Sequence, residues 1–240
     1  MSIHLVGGGS EIGAPITGRF VAEAIRRAAS VRRATPRIAL LAVGPTADTD
    51  VSSGLADAIR AGGAVEIVTT TTTAGTPFAT AVLSDIDALV VAGGRTPEYI
   101  ETTAPLVDQI RLLVADGLPY LGYSAGAAIA ADRALVGGWR IGGVPVCPEE
   151  SAEGLDEVEI VEGLGLVDLT VDVHAVQSGT LARLIAATEA GFVPAGLAID
   201  EDTALVVGDG ALDVLGTGSV WRVVGSDDED GFVRVATMGG

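Results

Sequence analysis

The chain has 240 residues, 48 % of them hydrophobic, and a chain of that size can bury about 70 to 75 % of its unfolded surface without metal or disulfide staples. Thirty-two acidic against fourteen basic residues leave a net charge of −18, a field that repels phosphate backbones and anionic headgroups, so neither a nucleic acid nor a membrane is an expected partner. Every basic residue is an arginine, which excludes a Schiff-base lysine, a P-loop lysine and a Tyr/Lys dehydrogenase pair on this chain.

Met1 leads straight into the strand-like Ser2-Ile3-His4-Leu5-Val6, and apolar runs rich in Val, Ile and Leu then alternate with helical patterns. In chain order the expected elements are a strand at 3–6, a helix at 17–29, strands at 37–43, 65–68 and 88–92 with a helix at 53–61 between the first two, a helix at 97–115, a strand at 120–123, a helix at 125–134, a strand at 170–174, a helix at 180–190, and strands at 196–199, 204–207 and 211–215. Such alternation predicts an α/β domain spanning 1–240, with a mostly parallel sheet covered by helices on both faces. Gly208-Asp209-Gly210 and Gly216-Thr217-Gly218 separate closely spaced strands, the pattern of antiparallel hairpins closing one sheet edge.

Other segments read more plainly. Thr69 to Thr73 form a run of five threonines expected as a solvated loop, and Asp227-Asp228-Glu229-Asp230 before Gly231 reads as a turn. Seven carboxylates, Glu149, Glu150, Glu153, Asp156, Glu157, Glu159 and Glu162, crowd fourteen residues with no basic partner, which reads as a solvated, mobile loop or, alternatively, as a wall that attracts a cationic substrate. The single cysteine, Cys147, allows no internal disulfide, and with no leader-like segment before the first strand a cytoplasmic location is expected. No apolar run reaches the roughly 18 residues that span a bilayer. Two histidines and one cysteine make a zinc site improbable, and no metal or cofactor is expected.

Gly122-Tyr123-Ser124-Ala125-Gly126 follows an apolar strand and opens an alanine-rich helix, the context in which Gly-x-Ser-x-Gly forms a nucleophile elbow. A strand turning directly into a helix strains the central residue, and small neighbours two positions away let the backbone pass. The hydroxyl then stands at the carboxyl edge of the sheet, with helix N–H groups behind it. Serine needs a base. His4 lies early in the first strand, towards the opposite edge, whereas His174 ends the run Val171-Asp172-Val173-His174 and is delivered to the serine's edge. Either Asp172, on the same strand face, or Glu201, ending the next strand, could orient the imidazole. The amide of Ala125 and that of Gly93 or Gly94 are the candidate oxyanion donors.

Gly122-Tyr123-Ser124-Ala125-Gly126-Ala127, Gly93-Gly94-x-Thr96, Asp172-x-His174 followed by Gln177-x-Gly179-x-Leu181-x-Arg183-Leu184, and Gly196-x-x-Ile199-Asp200-Glu201-Asp202-Thr203-Ala204-Leu205 together resemble the cyanophycinase and dipeptidase E family of serine peptidases, leaning to the cyanophycinase branch. The resemblance implies a flavodoxin-like fold of the class I glutamine amidotransferase type. It implies hydrolysis of peptide or isopeptide bonds involving acidic residues, with Ser124 as nucleophile, His174 as base and Glu201 as the orienting acid. Asp172 and Arg183 then belong to the substrate pocket. A small peptide is the implied partner, and a homodimer is compatible with the resemblance.

The chain departs from that branch at Val173, Ala175, Ser178 and Thr180, where cyanophycinases carry other residues, two of them arginines. Loss of those guanidiniums removes bidentate carboxylate clamps that serine and threonine cannot imitate. Arg95, after the Gly pair, is the expected substitute. Catalytic machinery kept with altered specificity is therefore the expectation. Two rivals are a non-catalytic binding protein that uses the inherited pocket and a nicotinamide-dependent oxidoreductase. The second is suggested by Gly7-x-Gly9-x-x-x-Gly13, whose spacing is not Gly-x-Gly-x-x-Gly.

Overall fold

The computed structural model describes residues 2–10, 12–44, 50–208, 210–226 and 232–238. The acid run 227–230 lies outside the described residues. The elements follow as β1 (Ser2–Val6), α1 (Ala14–Ser30), β2 (Arg37–Val43), α2 (Asp50–Ala61), β3 (Glu66–Thr72), β4 (Ala88–Val91), α3 (Thr96–Thr103), α4 (Val107–Ala115), β5 (Tyr120–Tyr123), α5 (Ala125–Ala128), β6 (Arg133–Gly137), β7 (Arg140–Ile141), β8 (Val144–Pro145), β9 (Glu159–Glu162), β10 (Thr170–Val173), α6 (Thr180–Glu189), β11 (Ala195–Ile199), β12 (Thr203–Gly208), β13 (Asp213–Gly216), β14 (Val220–Gly225) and β15 (Val233–Met238).

A seven-stranded sheet has the order β13-β12-β1-β5-β4-β2-β3. Its five strands from β1 to β3 pair in parallel, and β12 and β13 add antiparallel at one edge. The central strands are apolar on both faces because both faces are covered. Alternate residues of β2 divide between two cores: Ala39, Leu41 and Val43 pack with α4, while Ile38, Leu40 and Ala42 pack with Ile16, Phe20 and Val21 of α1. The fold is α/β with a mostly parallel sheet, as expected.

Five expectations are corrected. The threonine run is not a loop. Thr69–Thr72 continue β3 as an edge strand in register with Leu40 to Val43, because β-branched side chains suit a half-exposed pleated surface. The helix expected over 97–115 is broken by the tighter turn Ala104–Leu106, since Pro105 cannot donate a backbone hydrogen bond. The helix expected over 125–134 ends after one turn at Ala128, and Arg133 already pairs with Glu162 in β6. The acidic stretch is not simply a loop either: Glu159–Glu162 form β9 against β6, and the Glu157 carboxylate accepts the amides of Gly142 and Gly143 at 2.8 and 2.9 Å. Finally, the chain beyond Gly216 does not stay at the edge of the main sheet. β14 and β15 join β10 and β11 in a second sheet of order β10-β11-β14-β15.

His4 sits in the body of β1, fully buried, with its Nε2 2.7 Å from Glu23 Oε2 on α1. Burial opposes ionisation of Glu23, but hydrogen bonds from His4 and Ser2, with the charges of His4 and Arg19, outweigh it and hold the carboxyl at about 2. A depressed carboxyl stabilises the fold above its unfolded value and loses that contribution as pH falls through the folded one. Glu23→Gln is therefore expected to cost about 1–2 kcal/mol at neutral pH, a Tm lowered by about 2–8 °C. In thermal melts the difference from the parent should shrink as pH falls below about 4.3 and vanish only below about pH 2. A gap that persists at the acid end would contradict this assignment.

Among the described residues no helix is long and apolar enough to cross a membrane.

Candidate active site

Ser124 joins β5 to α5 with φ 52° and ψ −110°, a conformation costing an L-residue about 1–3 kcal/mol. Its own amide donates to Val6 O at 2.9 Å, and its carbonyl accepts Ala127 N at 2.8 Å, so both flanking peptides are tied down. The spacing of small residues has the steric cause expected of it. A Cβ on Gly122 would lie 2.3 Å from Gly126 O, and one on Gly126 would lie 2.2 Å from Val91 O. Tyr120, buried beneath the turn, donates its hydroxyl to Gly126 O at 2.7 Å. Because α5 has a single turn, its helix dipole is small, and individual amides carry the positive potential behind the serine.

The carboxyl ends of β1, β5, β10 and β11 meet at this point. Ser124 Oγ lies 2.8 Å from His174 Nε2, and His174 Nδ1 lies 2.7 Å from Glu201 Oε1. The imidazole and the carboxylate are 28 % and 30 % exposed, open to a substrate yet shielded enough to hold one geometry. Between the two sequence-level alternatives for the acid, the structure gives Glu201 to the imidazole and Asp172 to another partner.

The Gly7-Gly8 segment stitches the two sheets together beneath the histidine. His174 N donates to Gly7 O at 3.0 Å and Asp202 N donates to Gly8 O at 2.8 Å. A side chain on Gly8 would put its Cβ 2.2 Å from His174 Cε1, so only glycine lets the imidazole lie flat on this turn. The glycine motif is thus packed on protein groups, with Asp202 Oδ1 2.2 Å from where a Gly9 Cβ would stand, which leaves no cradle for a dinucleotide. Two residues that the quoted motifs contain, but to which the sequence assigned no role, complete the brace. Gln177 Oε1 accepts the Glu201 amide at 3.1 Å, and buried Asp200 accepts Val176 N, Ser219 N and Trp221 Nε1 at 3.2, 2.9 and 3.0 Å.

Gly93 faces the serine: a Cβ on it would be 3.2 Å from Ser124 Cβ. Among the described residues the amides of Gly93, Gly94 and Ala125 donate no hydrogen bond to another protein group. Tyr99, fully buried on α3, holds the turn by donating to Gly93 O at 3.0 Å and accepting Val43 N at 3.1 Å. Burial pushes its phenol up to about 12, so it stays a donor at any working pH. Tyr99→Phe strands two backbone groups and frees the Gly93 turn. If the Gly93 turn supplies an oxyanion donor, kcat is expected to fall about tenfold with KM little changed, because such donors act chiefly in the transition state. Steady-state kinetics would refute this if KM rose and kcat held.

The three residues expected to bind substrate are placed differently from one another. Arg95 stands at the rim, 57 % exposed, with Nη2 donating to Glu153 O at 2.7 Å and Nη1 3.4 Å from Glu98. Asp172 and Arg183 are 1 % and 4 % exposed and paired through two bonds, Nε to Oδ2 at 2.9 Å and Nη2 to Oδ1 at 2.7 Å. Arg183 Nη1 donates further to Gly138 O at 3.1 Å and Ser151 O at 2.7 Å, tying the 138–151 segment to β10 and α6. Among the described residues no group of three or more His, Cys, Asp and Glu side chains is arranged to hold a metal.

A strained serine at a strand-to-helix elbow, hydrogen-bonded to an imidazole that is itself hydrogen-bonded to a carboxylate, has the geometry of the serine hydrolases. The model of peptidase family S51 matches residues 45–215, and the chain belongs to that family. It is similar to the cyanophycinases of Synechococcus elongatus and Thermosynechococcus vestitus, each 38 % identical over 144 residues, which is 58 % of this chain and 42 % of theirs. A cyanophycinase of Trichormus variabilis is 39 % identical over 119 residues, 48 % of this chain and 37 % of that one. The chain thus matches less than half the length of these curated relatives. Its fold resembles a crystal structure of a candidate peptidase E from Listeria monocytogenes EGD-e, with a TM-score of 0.51 and 15 % identity over 90 % of this chain and 98 % of that one.

Proposed function

We propose that the chain is a serine-type peptidase that hydrolyses a peptide or isopeptide bond next to an aspartyl or β-aspartyl residue. The observation that carries this reading is the unbroken relay from Ser124 Oγ through His174 to Glu201, at 2.8 and 2.7 Å. Ser124 Oγ attacks the scissile carbonyl while His174 Nε2 takes its proton, and Glu201 keeps Nδ1 protonated and stabilises the imidazolium. Charge developing on the carbonyl oxygen is received by the amides of Ala125 and of Gly93 or Gly94, each contributing about 3 kcal/mol if it behaves as known oxyanion donors do. His174 then protonates the departing amine. Water, deprotonated by the same imidazole, releases the acyl group and restores Ser124.

The preference for an acidic residue is supported by the cyanophycinase relatives and by Arg95, whose exposed guanidinium follows the oxyanion turn and can grip a substrate carboxylate. Arg183, fixed by Asp172, forms part of the wall of the cavity beside His174 and Glu201. A panel of dipeptides with acidic, isoaspartyl, basic and neutral first residues tests the proposal. Release of the second residue is expected from the acidic and isoaspartyl members. Cleavage confined to neutral or basic first residues, or no cleavage at all, would overturn it.

A further inference from the structure

Four consecutive carbonyls, those of Val6, Gly7, Gly8 and Gly9, each accept a hydrogen bond from the surroundings of the relay. Val6 O receives the Ser124 amide at 2.9 Å, Gly7 O the His174 amide at 3.0 Å, and Gly8 O the amide of Asp202, next to Glu201, at 2.8 Å. Gly9 O receives the hydroxyl of Tyr123. The first three donors are backbone N–H groups, which every residue but proline supplies. The fourth belongs to a side chain and depends on which residue precedes the serine. Gly8 and Gly9 have φ of 94° and 116°, in the region that glycine enters freely, so the far end of this segment stays where its bonds hold it. Tyr123 is buried and packs in the core that α1 covers, with its ring beside the Gly93 turn: a Cβ on Gly93 would lie 3.1 Å from Tyr123 Cδ1. A ring already fixed by packing presents its hydroxyl at little further cost in ordering. Burial, reinforced by the charges of Asp202 and Glu201, pushes the phenol up to about 12, so it remains a donor throughout the neutral range.

We propose that Tyr123 is a positioning residue of the hydrolytic site, a role that rests on the peptidase reading above: by holding Gly9 O it fixes the bond from Asp202 N to Gly8 O and so keeps the Glu201 carboxylate against His174 Nδ1. It acts through Glu201 and not on the substrate. The acid is thereby held on both sides of its own peptide unit, by Gln177 at the Glu201 amide and by the Gly8 carbonyl at the next one. A single neutral hydrogen bond contributes modestly to stability. Its effect on rate is larger in proportion, because a relay tolerates little displacement of the group that orients the base. Tyr123→Phe deletes one oxygen and leaves the packed ring, so it should slow reaction at Ser124 about three- to tenfold while the protein stays folded.

The test is the rate at which a fluorophosphonate modifies Ser124, which reports activation of the serine without a peptide substrate. It is measured on the parent, Tyr123→Phe, Glu201→Gln and the double variant, with reagent concentrations raised to resolve the slower proteins. Tyr123→Phe should react about three- to tenfold more slowly than the parent, with an unchanged far-ultraviolet circular dichroism spectrum. On Glu201→Gln the same substitution should cost less than about twofold, because the carboxylate it positions is already gone. For a dipeptide that the parent cleaves, Tyr123→Phe should lower kcat and leave KM unchanged. An equal fractional loss in both backgrounds would show a merely structural hydroxyl and overturn the proposal. A Tyr123→Phe rate equal to that of the parent would overturn it too, as would a Tyr123→Phe protein that does not fold. Either result, with the parent labelled at Ser124, leaves the peptidase reading standing. A parent that is not labelled at all would overturn that reading, and the role of Tyr123 with it.

Discussion

Ser124→Ala is expected to lower kcat/KM for a cleaved dipeptide by about 10⁴-fold or more, and His174→Ala to do nearly as much. The two losses should not add. Once the oxygen or its proton acceptor is gone the relay is broken, and the residual rate comes from the oxyanion amides and from binding. Glu201→Gln leaves nucleophile and base in place but replaces the acceptor at Nδ1 with an amide that cannot stabilise the imidazolium. It is expected to cost about 10²–10⁴-fold. Far-ultraviolet circular dichroism should show all three variants folded, since Ser124 and His174 are held by backbone bonds to Val6 O and Gly7 O that the substitutions leave intact. Hydrolysis surviving in Ser124→Ala would remove the serine from the mechanism.

The largest expected effect on stability is at Asp172. Its carboxylate is 1 % exposed and neutralises an arginine that is 4 % exposed. Removing one member of such a pair leaves an uncompensated charge in a medium that solvates it poorly, at a cost of about 3–5 kcal/mol. For a chain of this length Asp172→Ala should therefore lower Tm by roughly 10 °C in thermal unfolding. Replacing both partners, Asp172→Met with Arg183→Met, should recover part of the loss and no more, because the carbonyls of Gly138 and Ser151 would then lose their donor. An unchanged Tm in Asp172→Ala would show that water or a rearranged Glu153 compensates Arg183 instead.

The parts of this protein legible in the sequence are those written in local steric rules. The Gly122-to-Gly126 spacing is demanded by backbone contacts with Gly126 and Val91, so it announces an elbow wherever the strand and helix patterns flank it. With two imidazoles in the chain, strand polarity alone separates His4 from His174. The choice between Asp172 and Glu201 was beyond such rules, because it depends on where Arg183 lies, eleven residues further on and packed from α6. Tyr99 and Asp200 act through contacts made across the fold, and although Asp200 lies in a quoted motif, local spacing does not reveal what either side chain touches. The run Thr69 to Thr72 misleads for a different reason: polarity suggests solvent, but an edge strand is half solvent, and β-branching decides. Likewise the alanines after Ser124 favour helix intrinsically, yet pairing of β6 with β9 ends that helix after one turn.

Mass spectrometry of the protein after reaction with a fluorophosphonate tests the central claim most directly, because the reagent phosphonylates a serine only where a neighbouring base has activated it. The account predicts a single adduct on the peptide containing Ser124, absent in Ser124→Ala and lost or greatly slowed in His174→Ala. An unmodified protein, an adduct on a different residue, or full labelling without His174 would contradict it.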